Sequence, residues 1–153
     1  MLSKEAKETT VLESFLKCCE EFSSRESFVI TSPKPPEPDC HCAFSDDAGI
    51  YFELSEIIDE KIAQKFYDPR IPFTGGFFND DILTDRIKEK LQKSYRTNGK
   101  RVDLILYFDL QPGWREDTMR QEVGTVMYQL GKGPFTKVWL FSVHQKKIIA
   151  SFD

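Results

Sequence analysis

The chain has 153 residues, 40% of them hydrophobic with 13 phenylalanines, and a formal net charge of -4. That length accommodates one domain around one sizeable core and is short for two. A mean hydropathy of -0.43 and the lack of any long uncharged apolar run argue against a membrane span, and the acidic balance argues against a uniformly cationic surface.

Acidic residues interrupt the first 22 positions, which therefore lack the continuous apolar core of a secretory signal. The four cysteines are accordingly expected as reduced thiols in a cytoplasmic protein. From Lys4 to Phe22, the residues Val11, Leu12, Phe15, Leu16, Cys19 and Phe22 recur at helical spacing and predict an amphipathic helix. The segment "TSPKPPEP" then carries four prolines in eight residues and predicts an extended connection.

Asp39–Phe44 and Gly49–Ile57 are short β-prone runs separated by "SDDAG", the pattern of a hairpin. The stretch at about 58–80 is rich in aromatics, proline and glycine and is expected to be a loop or arm. A second helix is predicted from Asp80 to Tyr95, with Leu83, Ile87 and Leu91 inward and "TNGK" as its stop. "RVDLILYFDL" is apolar at nearly every position, as in a strand covered on both faces. Pro112 near a helix start, the stripe of Met119, Val123, Val126, Met127 and Leu130, and Gly131 beyond it predict a third helix. "KVWLFSVH" and "KIIASF" flank the polar "QKK" turn as two closing strands. The order α-β-β-loop-α-β-α-β-β describes one α/β domain over 1–153, a mixed sheet flanked by helices.

The second β run holds a charge in an unfavourable place. Alternation sets Tyr51, Glu53, Ser55 and Ile57 on one face and Phe52, Leu54 and Glu56 on the other. A carboxylate in an apolar strand needs a cation, a hydrogen-bond network or an exposed edge. Asp39, at the start of the paired run, is the nearest partner, and two carboxylates tolerate proximity when a hard divalent cation such as magnesium or manganese lies between them.

"PD" at Pro38–Asp39, followed across a hairpin by "ELS" at Glu53–Ser55, resembles the motif of the PD-(D/E)xK, or restriction-endonuclease-like, nuclease superfamily. The preceding helix, the following crossover helix and the apolar strand match that superfamily's core order from about Glu5 to Leu140. The resemblance implies a three-layer core and hydrolysis of phosphodiester bonds, in DNA sooner than RNA, by a water nucleophile with Mg2+ or Mn2+. Asp39, Glu53 and a helix glutamate would hold the metal. Glu8, at the centre of the first apolar stripe, is the candidate for that glutamate, whereas Glu13 lies opposite.

The sequence departs from the motif at Ser55, which stands where the superfamily has lysine. Some members supply the lysine from a neighbouring element. Here Lys90 borders the inward face of the second helix while Lys88 points away, so Lys90 is the candidate to stabilise transition-state charge, with Ser55 bonding the water or Glu53. Between Asp85 and Arg101, seven basic and two acidic residues give +5 and leave -9 for the rest. From this segment Arg86, Lys93, Arg96, Lys100 and Arg101 are candidates to hold phosphates.

Other chemistries fit the residues less well. In "CHC", Cys40 and Cys42 face one way along a strand and His41 the other, with no adjacent C-x-x-C or H-x-x-x-H to complete a zinc tetrahedron, so that the distant Cys18 and Cys19 would have to supply the rest. No nucleophile elbow precedes a cysteine, and "TGGFF" lacks the Lys-Ser/Thr of a nucleotide loop. The rival from a different class is a nuclease-fold domain without catalysis, working as a nucleic-acid- or protein-binding module; pairing into a homodimer is compatible with either.

Overall fold

The computed structural model of the chain describes residues 3–24, 27–44, 47–57, 81–109 and 116–153. The expected arm at 58–80, the hairpin tip and Pro112 lie outside the described residues.

Helix α1 (Lys4–Cys18) starts where the Ser3 hydroxyl accepts the Ala6 N–H at 3.1 Å, with Glu5 in its first turn and Lys17 in its last, matching the helix dipole at both ends. The predicted single helix to Phe22 is in fact two. Cys19 is extended, and α2 (Glu20–Ser23) follows it. The break turns Phe22 into the core, 6.1 Å from the Phe15 ring and stacked 5.8 Å from Phe44.

Strand β1 (Phe28–Thr31) was not expected: only four residues long, it carries too little alternation to register as a strand. It pairs antiparallel with β2 (Cys40–Phe44), which pairs antiparallel with β3 (Asp47–Glu56). Helix α3 (Asp81–Gln92) ends before Tyr95, so that residue leaves the predicted helix. Strand β4 (Val102–Phe108), helix α4 (Glu116–Leu130) and strands β5 (Lys137–Ser142) and β6 (Lys147–Phe152) complete the described elements. The result is an α/β fold whose six-stranded mixed sheet runs β1-β2-β3-β4-β5-β6, with β3, β4 and β5 parallel.

Both crossovers, β3 to β4 and β4 to β5, step the same way across the sheet, so a common handedness lands α3 and α4 on one face. Leu83, Ile87, Met119, Val123 and Val126 pack there against Tyr51, Leu104 and Leu106. On the other face α1 packs Val11, Leu12, Phe15 and Leu16 against Phe52, Leu54, Ile105 and Phe141. Every residue of β4 is buried, which explains its unbroken apolar run.

One polar residue interrupts that strand. Asp103 is 0% exposed and accepts from Arg101 Nε at 2.8 Å, Arg101 Nη2 at 2.7 Å and Trp139 Nε1 at 3.0 Å. Arg101 also pairs with Glu21 at 3.0 Å and lies over the Phe22 ring, fastening α2 to the sheet. Arg101→Ala is expected to lower unfolding free energy by about 3 kcal/mol, because it strands a buried carboxylate. Urea denaturation at neutral pH checks this, and a loss below about 1 kcal/mol would show that Asp103 does not depend on the guanidinium.

Candidate functional site

The site forms where the sheet opens. Pairing between β2 and β3 reaches Cys40↔Phe52, but β3 continues beside β4 as far as Glu56↔Tyr107. Past Cys40 two carboxylates replace strand carbonyls as acceptors. Asp39 N–H donates to Glu53 Oε1 at 2.9 Å, and Leu54 N–H donates to Asp39 Oδ2 at 3.0 Å. This reciprocal pair fixes the Asp39 and Glu53 backbones and side chains together.

Glu53 is 3% exposed. From α3, Lys90 Nζ donates to its Oε2 at 2.9 Å and lies 3.9 Å from Asp39 Oδ2. The Tyr95 hydroxyl lies 2.9 Å from the same Oε2 and 3.2 Å from the Lys90 carbonyl; its one proton serves the shorter, charged contact. Tyr95 reaches Glu53 because the chain leaves the helix after Gln92, and Arg96 N–H then donates to the Pro36 carbonyl at 3.0 Å. That bond ties the segment after α3 to the proline-rich connection that delivers Asp39. Pattern reading missed Tyr95, since a tyrosine beyond a helix end carries no periodic signal.

Glu8 enters from α1, on the opposite side of the sheet from α3. It is 5% exposed, and its Oε2 is buried without a hydrogen-bond partner. Its ion pair with Lys4, at 3.9 Å, is weak because the lysine is 77% exposed. Glu13 is exposed. Glu8, Asp39, Glu53 and Lys90 are thus brought together, with Tyr95 added. Ser55, half-buried and opposite Leu106 in register, makes no side-chain hydrogen bond to Glu53 or Lys90 among the described residues.

Three carboxylates share one buried ammonium, and their proton affinities separate accordingly. Burial and the neighbouring Asp39 push Glu8 up to about 8. Burial and Asp39 also raise Glu53, against the opposing pull of Lys90. For Asp39, burial is outweighed by hydrogen bonds from Glu53, Glu8 and the Leu54 N–H and by the Lys90 charge, so it stays below its ordinary value. Burial lowers Lys90, but Glu53, Asp39 and Glu8 together hold it above the ordinary lysine range. Lys90 therefore stays an ammonium at neutral pH.

Among the described residues, no three or more His, Cys, Asp or Glu side chains are grouped to hold a metal ion. Magnesium, however, is commonly held by one or two carboxylates with waters and substrate oxygens completing its shell. The hard-oxygen donors here and the orphaned Glu8 Oε2 fit that mode. Thiol chemistry does not arise at this site: Cys40 and Cys42 are fully buried, and burial plus the three carboxylates push the Cys40 thiol up to about 12. His41 faces away from them, its ring 4.7 Å from Tyr51.

The basic segment does not form one free surface. Arg86 donates to the Glu56 carbonyl at 2.9 Å, Lys93 lies 3.8 Å from Glu89, and Arg96 lies 3.6 Å from Glu37. Lys100 is exposed. Arg101, on the α1 face, is paired with Asp103 and Glu21.

Between pH 4.5 and about 8 the folded chain retains protons on Glu8 that the unfolded chain has released, so metal-free stability falls as pH rises through that window. Glu53 contributes in the same direction, while Asp39, lowered, acts only below its ordinary range. Glu8→Gln is expected to flatten this slope and raise the thermal midpoint at pH 8.5 relative to the wild type; thermal melts from pH 5 to 8.5 in chelator provide the comparison. Matching of the chain against protein-family models, curated proteins and solved structures finds no similar protein.

Proposed function

We propose that the chain is a metal-dependent nuclease with a restriction-endonuclease-like core, hydrolysing phosphodiester bonds, in DNA on the strength of the "PD…ELS" resemblance. The observation that carries the reading is Lys90 Nζ at 2.9 Å from Glu53 and 3.9 Å from Asp39: a lysine from the crossover helix stands where the motif position, Ser55, has none. The order of helix, hairpin, crossover helix and buried strand supports it as well.

In this reading Asp39, Glu53 and Glu8 form the acidic half of the site, and Mg2+ or Mn2+, when bound, supplies Lewis acidity towards the phosphodiester. Asp39 is ionised at neutral pH and its carboxylate is oriented by the Leu54 N–H. Lys90, held as an ammonium, stabilises negative charge developing on phosphate oxygens and cannot act as a base. Tyr95 and the Asp39 N–H keep Glu53 in one orientation, so Lys90 is presented at a defined place. The attacking water comes from solvent, reaching the site past Asp39, whose side chain is more exposed than those of Glu53 and Lys90.

A second reading has one observation in its favour. The Lys90–Glu53 pair is largely buried and directly hydrogen-bonded, as a structural strut would be. On that reading the domain keeps the nuclease fold and works as a binding module.

Cleavage assays on labelled single- and double-stranded DNA separate the two. Asp39→Ala and Glu53→Ala are expected to abolish Mg2+-dependent cleavage, and Lys90→Ala to slow turnover about 100-fold or more while Lys88→Ala leaves it unchanged. An inactive wild-type chain that still binds DNA selects the binding module. Ser55→Lys, which restores the motif, is expected to raise turnover, and unchanged activity would show that Lys90 already fills the role.

A further inference from the structure

Glu53 is the residue the motif would nominate as a metal ligand, yet its oxygens are already spoken for. Oε1 accepts from the Asp39 N–H, and Oε2 accepts from both Lys90 Nζ and the Tyr95 hydroxyl. Of the three carboxylates around it, the Lys90 ammonium is hydrogen-bonded to Glu53, at 2.9 Å. A cation taking Glu53 Oε2 would have to displace a buried ammonium from the acceptor it is bonded to and turn the Tyr95 hydroxyl to the Lys90 carbonyl.

Glu8 and Asp39 are in the opposite condition. Glu8 Oε2 is buried with no donor, and the charge nearest Glu8 from a lysine is the solvent-exposed Lys4. Asp39 has one backbone donor on Oδ2, and Lys90 lies 3.9 Å from that oxygen, beyond hydrogen-bond length. Once Lys90 is assigned to Glu53, Glu8 and Asp39 stand side by side with no cation among the described residues hydrogen-bonded to either, the buried Glu8 carboxyl keeping a proton against its neighbour. A divalent cation is the ligand that matches that deficit, and two hard carboxylate oxygens are the donor number magnesium accepts from protein.

We infer that the cation-binding pair of this protein is Glu8 with Asp39, from opposite sides of the opened sheet edge, and that Glu53 is a positioning residue saturated by Lys90, Tyr95 and the Asp39 N–H. The inference rests on the metal-dependent reading above and reassigns the ligands within it. It keeps Glu8 and Asp39 from the ligand set that the motif implies and removes Glu53 from it. It also makes Lys90 and Glu53 a unit that can be removed together without changing the charge of the cation site.

The test is Mn2+ binding to the full chain after chelation and desalting, followed by the loss of the free Mn2+ paramagnetic signal on titration. Glu8→Gln and Asp39→Asn are each expected to weaken binding about 100-fold or more, whereas the neutral double variant Glu53→Gln/Lys90→Met weakens it by less than about tenfold, as removal of an outer-shell support does. Metal-free circular dichroism of each variant confirms that it is folded. Glu8→Gln replaces a buried carboxyl that holds its proton up to about pH 8 with a neutral amide of the same shape, and should fold at least as well as the wild type.

Tight Mn2+ binding that survives Glu8→Gln but is lost in the double variant overturns the assignment while leaving the nuclease reading standing. Binding that depends on Glu8 and Asp39 in a chain that cleaves no phosphodiester upholds the assignment and defeats the nuclease reading. No Mn2+ uptake by the wild type overturns both.

Discussion

A carboxylate in the middle of a buried strand is the constraint around which this molecule is arranged. Glu53 lies between Phe52 and Leu54, in a strand flanked by β2 and β4, where an unpaired charge would cost several kcal/mol. Its compensation cannot be local, because neighbours along the strand point to the wrong faces. It comes from the Asp39 N–H at the mouth of β2, from Lys90 near the end of α3 and from Tyr95 just beyond it. Each of these elements must be in place before Glu53 can be buried, so the site acts as a register mark for the hairpin, the crossover helix and the proline-rich connection together. The bond from Arg96 N–H to the Pro36 carbonyl closes the same circuit through the backbone.

The sheet edge makes the site possible. Where β3 outruns β2, backbone donors lose their ladder partners, and Asp39 and Glu53 supply the missing acceptors. The same opening leaves room for Glu8 to approach from α1, on the face away from α3. Acidic groups from both faces then converge on one end of the strand, while the buried ammonium, Lys90, arrives from the α3 face and the α1 lysine nearest Glu8, Lys4, is exposed. The asymmetry shows in the proton affinities: Asp39 keeps its charge, and Glu8, buried beside Asp39 with only the exposed Lys4 for a partner, holds its proton up to about pH 8. Such a poised cluster is costly to build for stability alone and is well suited to receiving a cation. The Arg101–Asp103 pair is the instructive contrast, since that buried carboxylate is matched by a bidentate guanidinium and an indole N–H and has no open valence.

Much of this was legible in the chain as written. The α1 stripe, the hairpin, the α3 face and the uniformly apolar β4 follow from periodicities that local sterics and burial enforce, and Glu53 stood out because a charge in such a run demands a partner. Lys90 and Glu8 could be singled out from their helical phase, which the 3.6-residue repeat fixes without knowledge of the fold. Where pattern reading failed, the reason was non-local. The kink at Cys19 exists to seat Phe22 against Phe44 and Phe52, β1 is a strand only because β2 offers it an edge, and Arg101 belongs to Asp103 and Glu21, 80 positions away from the latter.

The sequence by itself therefore determined the elements, the apolar faces and the short roster of acids and lysines that could do chemistry, because each depends on spacing within one element. Tertiary structure alone decided which oxygen of which acid is satisfied. That depends on atoms from four separate segments meeting within 3 Å at one strand end, a condition that no spacing along the chain encodes. It is for this reason that Tyr95 entered the site unannounced, and that Glu8 was found with a buried oxygen left without a hydrogen-bond partner among the described residues.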